Sequence, residues 1–137
     1  MNDRPTAIEL LEAVRHFLES DVVPALEGPK KFHARVAANL MSILSREWTS
    51  EEEHLQAEWE SLATLLEIRE PRPPARADIR DALRRHTEDL SQRIRNGDAD
   101  LGPWRESVLR HLRLVVRQKL EVASPAMLGK EKSTGSR

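Results

Sequence analysis

Residues 31–47 read KFHARVAANLMSILSRE, and the architecture is decided by this stretch. Its inner part, Val36 to Leu44, is the longest nearly uncharged run in a chain whose residues are 33% charged. Ala, Leu and Met favour helix, and neither Gly nor Pro interrupts the segment. On a helical projection at about 100° per residue, Phe32, Val36, Ala37, Leu40, Met41, Ile43, Leu44 and Trp48 spread over roughly half the circumference. Ala34, Ala38 and Ser45 form a strip of small residues that lets another backbone approach. Only Arg35, Asn39, Ser42 and Arg46 make a polar strip. A helix with so little polar surface is expected at the centre of a bundle, from about residue 30 to 48.

Composition narrows the rest. At 137 residues the chain can build a core without disulfide or metal staples, which predicts one domain over 1–128. The small, charged stretch 129–137 is expected to be a disordered tail. Ala, Leu, Glu and Arg dominate and strand formers nowhere alternate for long, so the fold class is all-α. A net charge of −1 offers no field for nucleic acid or an anionic membrane, both of which need clustered positive charge. Cysteine is absent, which removes thiolate chemistry and fits a cytoplasmic address. No apolar run approaches the ~20 residues that span a bilayer, and MNDRPT lacks the apolar core of a signal peptide.

Working outward, the first helix opens on a capping box, Thr6 with Glu9, and carries Ile8, Leu11, Val14, Phe17, Leu18 and Val22 on one broad face. Asp21 is an acid in that apolar sector. Pro24 should kink or end the helix, and Gly28-Pro29 breaks it. Downstream of Trp48, Ser50-Glu51-Glu52-Glu53 is a second capping signature, predicting a third helix with Leu55, Trp59, Leu62 and Leu66 on one face. The run Glu70-Pro71-Arg72-Pro73-Pro74 ends it. A fourth helix, about 76 to 96, has a narrow stripe (Ile79, Leu83, Leu90, Ile94) and a left-handed cap at Asn96-Gly97. A fifth runs from Pro103 to Ser124. The expectation is a compact antiparallel bundle of five helices.

Chemistry is sparse. Lys119 projects into the apolar face of the last helix, while Glu47 and Asp21 do the same on the second and first, so Lys119 is expected either to pair with Glu47 or Asp21 or to reach solvent along its stem. His33 and His86 lie at apolar faces, where a histidine is either a hydrogen-bonded core residue or half of a general-base pair. Glu51-x-x-His54 has the spacing of carboxylate-bridged di-iron bundles, but no second copy accompanies it and its acids have a capping role. No metal site is therefore assigned. Arg110, Arg113 and Arg117, with Arg80, Arg84, Arg85 and Arg93, form either solvated faces or a receptor for an anionic phosphate group. Phosphate-cradling loops and nucleophile elbows are absent, so no cofactor is implied.

Asp3-Arg4-Pro5-Thr6 followed by Glu9 to Val14, then Phe32 to Asn39, and finally Leu112-Arg113, Val116-Arg117, Lys119-Leu120 and Ser124-Pro125 resemble a family of small bacterial proteins of unknown function. The resemblance covers residues 3 to about 128. Members of that family are often encoded beside acyl-CoA dehydrogenases and phosphotransferases of the aminoglycoside-kinase type. It implies an accessory role in acyl-CoA or small-molecule catabolism, with such an enzyme as partner, and assigns no catalytic residue.

Two functional readings result. The surplus apolar surface of the second helix, with three Trp on separate elements, suits a non-enzymatic accessory protein that binds another protein or itself. The alternative is a small-molecule-binding or catalytic bundle whose pocket or buried polar network draws on His33, Arg35, Asn39, Ser42, Arg46, Glu47, Lys119 and Asp21.

Overall fold

Ser50 and the glutamates after it do not start a helix. In the computed structural model, which describes residues 4–129, a single helix runs from Gly28 to Leu66. The main helices are α1 (Ala7–Phe17), α2 (Gly28–Leu66), α3 (Arg76–Arg95) and α4 (Pro103–Ala123), and no strand occurs among the described residues. The class is all-α as expected, with four helices in place of five. The reason lies in the hydroxyls at the supposed break. Thr49 Oγ1 donates to the Ser45 carbonyl and Ser50 Oγ to the Arg46 carbonyl, each at 2.8 Å, so both bond one turn back as mid-helix residues do. Neither caps a new helix. The acids that resembled a capping turn are engaged elsewhere: Glu51 with Arg76 and Arg80, Glu52 with Arg72 and Arg76.

The chain divides into two compact units, Met1–Ser50 and Glu51–Arg137. The tail expected over 129–137 lies outside the described residues except for Gly129.

In the first unit the capping box forms as read: Glu9 N–H donates to Thr6 Oγ1 at 3.2 Å and Thr6 N–H to Glu9 Oε2 at 2.7 Å. Pro24 neither ends nor simply kinks the helix. Leu18–Val22 widens into a π-helical turn, with Val23 N–H bonding the Leu18 carbonyl, and a short helical turn follows over Val23–Ala25. Proline lacks the N–H for a carbonyl four residues back and clashes with it, and the wider turn relieves both. The chain then breaks at Leu26, which is extended at φ −111° and ψ 155°. Gly28 supplies the left-handed residue, φ 60°, from which α2 departs.

The stretch 31–47, expected in a bundle's centre, buries only its small residues, Ala34, Ala38 and Ser45. Ser45 hydrogen-bonds Glu12, so α1 returns antiparallel along the first half of α2. Large side chains stay outside. Phe32 is 64% exposed and Trp48 62%, and Val36, Leu40 and Leu44 between them are each exposed by 40% or more. They follow at every fourth residue. Leu10, Val14 and Phe17 of α1 are likewise about half exposed. With the half-buried Ile8, Leu11 and Leu18 of α1 turned toward α2 and Glu12 reaching Ser45, projection puts Leu10, Val14 and Phe17 on the same flank of the hairpin as Leu40, Leu44 and Trp48. Val36 points away from α1, and Phe32 falls beside Asn39. The hairpin thus has one apolar flank and an opposite, mainly polar one that holds Arg35, Asn39 and the Glu12–Arg15–Glu19 ion-pair ladder, with Phe32 beside Asn39. A small-residue seam lets two backbones come close but removes little apolar area from water, which is why the surplus remains outside.

The second unit holds a conventional core. Leu55, Trp59, Leu62 and Leu65 of α2 pack with Ile79, Ala82, Leu83 and Leu90 of α3 and Val108 of α4. Helix ends are closed by matching turns: Glu67 (φ 55°) lets Ile68 N–H reach the Ala63 carbonyl at 2.9 Å, and Gly97 (φ 89°) lets Asp98 N–H reach that of Arg93 at 3.1 Å. The cap foreseen at Asn96-Gly97 is therefore present, with Gly97 as its left-handed residue.

Continuity of α2 has a direct test. Proline is tolerated just inside a helix start but costs about 3 kcal/mol in an interior. Glu51→Pro is therefore expected to lose about 3 kcal/mol more than Glu51→Ala, which removes only the ion pairs, in denaturant unfolding. Equal losses would mean that a new helix begins there.

Candidate functional site

Among the described residues, the two buried polar residues of the second unit, His111 and Gln118, lie in one seam where α2 faces α4. Ser61 Oγ and His111 Nδ1 are 2.9 Å apart, and Gln118 Nε2 donates to the His54 carbonyl at 3.2 Å. Seven residues forward on α2 match seven back on α4, so one antiparallel register satisfies both bonds. His54 Nε2 also meets Glu121 Oε2 at 3.1 Å. Further along, Trp104 Nε1 donates to the Leu65 carbonyl at 3.3 Å, with the Arg93 guanidinium 6.0 Å from the Trp104 ring centroid.

His111 is 3% exposed. Burial pushes its imidazole below the ordinary histidine pKa, since nothing there offsets the cost of a desolvated charge. Glu58, on the same stretch of α2, is pushed up by burial, with the charges of Lys119 and His54 pulling the other way. A neutral imidazole beside a serine hydroxyl has the composition of a nucleophile–base pair. Its His111 side is closed, with that imidazole buried and Ser61 half-buried, and neither the cavity along α4 nor the one where α2 ends is lined by the pair. The arrangement fixes register.

Residues singled out from the sequence are placed differently. Asp21, His33, Arg35, Asn39 and Glu47 are exposed in the first unit. Ser42 and Arg46 are half-buried, and Ser42 Oγ reaches the Ala38 carbonyl at 3.5 Å. Lys119, expected either to pair with Glu47 or Asp21 or to reach solvent, is exposed in the second unit, and its charge acts on Glu58. Gln118 takes the inward position, which turns residue 119 about 100° to the flank. His86 packs edge-on against Trp59, centroids 5.9 Å apart, with Nε2 buried and without a hydrogen-bond partner. In Glu51-x-x-His54 both residues have other partners, and among the described residues no group of three or more His, Cys, Asp or Glu comes together. Sequence reading missed His54 as a seam residue, along with Glu58, Ser61, His111 and Gln118. The available signal was the heptad spacing of polar residues, 54 with 61 and 111 with 118, on two otherwise apolar faces.

Two cavities of the second unit are of a size to hold a small molecule. One, about 570 Å³, runs along α4 over Leu109, Leu112, Val116, Leu120 and Leu128, with Arg113 and Arg117 at its rim. Another, about 360 Å³, lies where α2 ends, among Leu65, Leu66, Glu67, Arg93, Asp98 and Trp104.

The domain of unknown function DUF6285 matches residues 24–127. The chain belongs to this family. The DUF6285 match takes in α2, α3 and α4, and with them the whole Ser61–His111 seam, while α1 precedes it. No curated protein and no solved structure matches the chain. Among the described residues no helix is long and apolar enough to cross a membrane.

The seam predicts a pH dependence. A histidine whose pKa is lowered by folding stabilises the native state fully above its unfolded value, near 6.5, and that contribution is lost as pH falls through the folded value. Unfolding titrations between pH 7 and 5 should show stability falling by at most about 1.4 kcal/mol per pH unit from this group. His111→Asn should flatten that slope. Glu58, raised on folding, acts in the opposite sense and is common to both proteins, so the difference between them isolates His111.

Proposed function

We propose that this protein is a non-enzymatic helical accessory protein that works by association, joining another protein chain through the apolar face of its first unit. The single observation that supports this most is that eight large apolar side chains of residues 1–50 are each exposed by 40% or more. A contiguous apolar surface beyond a few hundred Å² marks an association site in proteins that live in water. His111 is 3% exposed, which supports a structural rather than a reactive use of its contact with Ser61. The family resemblance supports a role in acyl-CoA or small-molecule catabolism, and the absence of cysteine fits a cytoplasmic address. The partners it suggests are an acyl-CoA dehydrogenase or a phosphotransferase-like enzyme, beside a second copy of this chain.

Replacing Leu40 and Leu44 together by Glu tests the reading. Both are exposed, so circular dichroism should keep its helical signal while capture of the associated chain weakens at least about tenfold. Unchanged capture would overturn it.

A second reading rests on the groove along α4. Its volume of about 570 Å³ suits a small molecule, and its apolar floor with Arg113 and Arg117 at the rim suits one with an apolar chain and an anionic head. Arg117 is also paired with Glu121 at 3.2 Å, which leaves Arg113 as the main anion contact in this reading. An acyl-CoA present at a hundredfold its dissociation constant should then add about 2.7 kcal/mol of stability, and Arg113→Glu should remove the gain.

A further inference from the structure

We infer that the chain covering the first unit's apolar face is a second copy of this protein, the two hairpins packing face to face as a four-helix bundle with α1 of each copy against α2 of the other. The inference rests on the association reading above and names its partner. Three observations support it.

The first is area. Leaving out Phe32, which lies beside Asn39, the other seven exposed side chains average about half exposure, and at roughly 200 Å² each they present roughly 700 Å², close to what one partner contributes to a stable interface of standard size. A hairpin with only Ala34, Ala38 and Ser45 between its helices cannot bury that surface within itself. Doubling the hairpin by a two-fold axis buries it in the way four-helix bundles do.

The second is charge. The segment 7–25 carries four acids (Glu9, Glu12, Glu19, Asp21) against one base, Arg15. Residues 28–50 carry four bases (Lys30, Lys31, Arg35, Arg46) against one acid, Glu47. Glu12, Glu19 and Arg35 lie on the opposite, polar flank, so at the apolar flank the contrast rests on Asp21 of the first segment and Lys30 of the second, which disfavours like against like and favours α1 on α2.

The third is position. Projection places Asp21 and Lys30 on the apolar side of the hairpin, both close to its closed end. A two-fold axis parallel to the helices keeps residues at their own level, so each Asp21 comes beside Lys30 of the other copy. Lys30 stands in the first turn of α2, where the helix dipole disfavours a cation and a facing carboxylate gains value. This gives a use to the acid that looked misplaced in the first helix.

Sedimentation equilibrium on the full chain at micromolar concentration tests the proposal. A dimer is expected. Leu40→Glu should convert it to a helical monomer, whereas Asp21→Lys and Lys30→Glu should each weaken it about fivefold to tenfold, and the double swap should restore it. A dimer indifferent to Leu40→Glu and to both swaps would overturn the inference. So would a monomer. A monomer that still captures the dehydrogenase-like or phosphotransferase-like enzyme through Leu40 and Leu44 would overturn only this inference and leave the association reading standing. A monomer that captures neither enzyme would overturn both.

Discussion

The second unit depends on one register. Ser61 against His111 and Gln118 against the His54 carbonyl are satisfied by a single antiparallel alignment of α2 and α4. Shifting α4 by one residue would turn both polar groups out of reach and leave an imidazole buried without a partner, which costs more than the bonds themselves contribute. Apolar contacts alone are more tolerant, since Leu and Val surfaces re-pack with modest loss. With the alignment fixed, Val108 meets the α2 face formed by Leu55, Trp59, Leu62 and Leu65, and α3 closes the core with Ile79 and Leu83.

The uninterrupted α2 has a second consequence. Because Thr49 and Ser50 bond back into the helix, Glu51 and Glu52 are free to receive the arginines that follow the proline-rich connection. Arg72, Arg76 and Arg80 fasten the start of α3 to α2, so the connection is held by charge where its prolines allow no regular backbone bonding. The exposed ion pairs contribute little each, but together they fix direction.

The two units solve different problems with the same helix. In residues 51–66, α2 presents large apolar side chains to its neighbours and seals polar groups inside. In residues 28–50 it presents alanine and serine inward and keeps Phe32, Val36, Leu40, Leu44 and Trp48 outward. A face of that kind has no stable use in water by itself. Association, as proposed here, supplies one. The buried His111 shows what the polar groups of the second unit do, which is to hold structure.

Much of this was legible in the sequence. The all-α class, the Thr6–Glu9 capping box, the Gly97 cap and the stripes of α3 and α4 follow from periodicity and local hydrogen-bonding chemistry, which act over a few residues. The surplus of apolar faces on 31–47 was legible too, but not its location. Whether Phe32, Val36 and Leu40 lie inside or outside depends on which neighbours α1 can bring, and the small residues Ala34, Ala38 and Ser45 took the contact instead. Ser50-Glu51-Glu52-Glu53 carried the letters of a capping turn, and local chemistry alone could not show that Arg72, Arg76 and Arg80 would claim those acids. Nor could it pair Ser61 with His111 across fifty residues. The sequence by itself determined helices, their caps and their amphipathic stripes, because those are set by neighbours along the chain. Only the tertiary structure decided that two helices were one, that the polar minority of α2 and α4 formed a single register, and that the most apolar stretch faces outward, because each depends on what distant segments bring into contact.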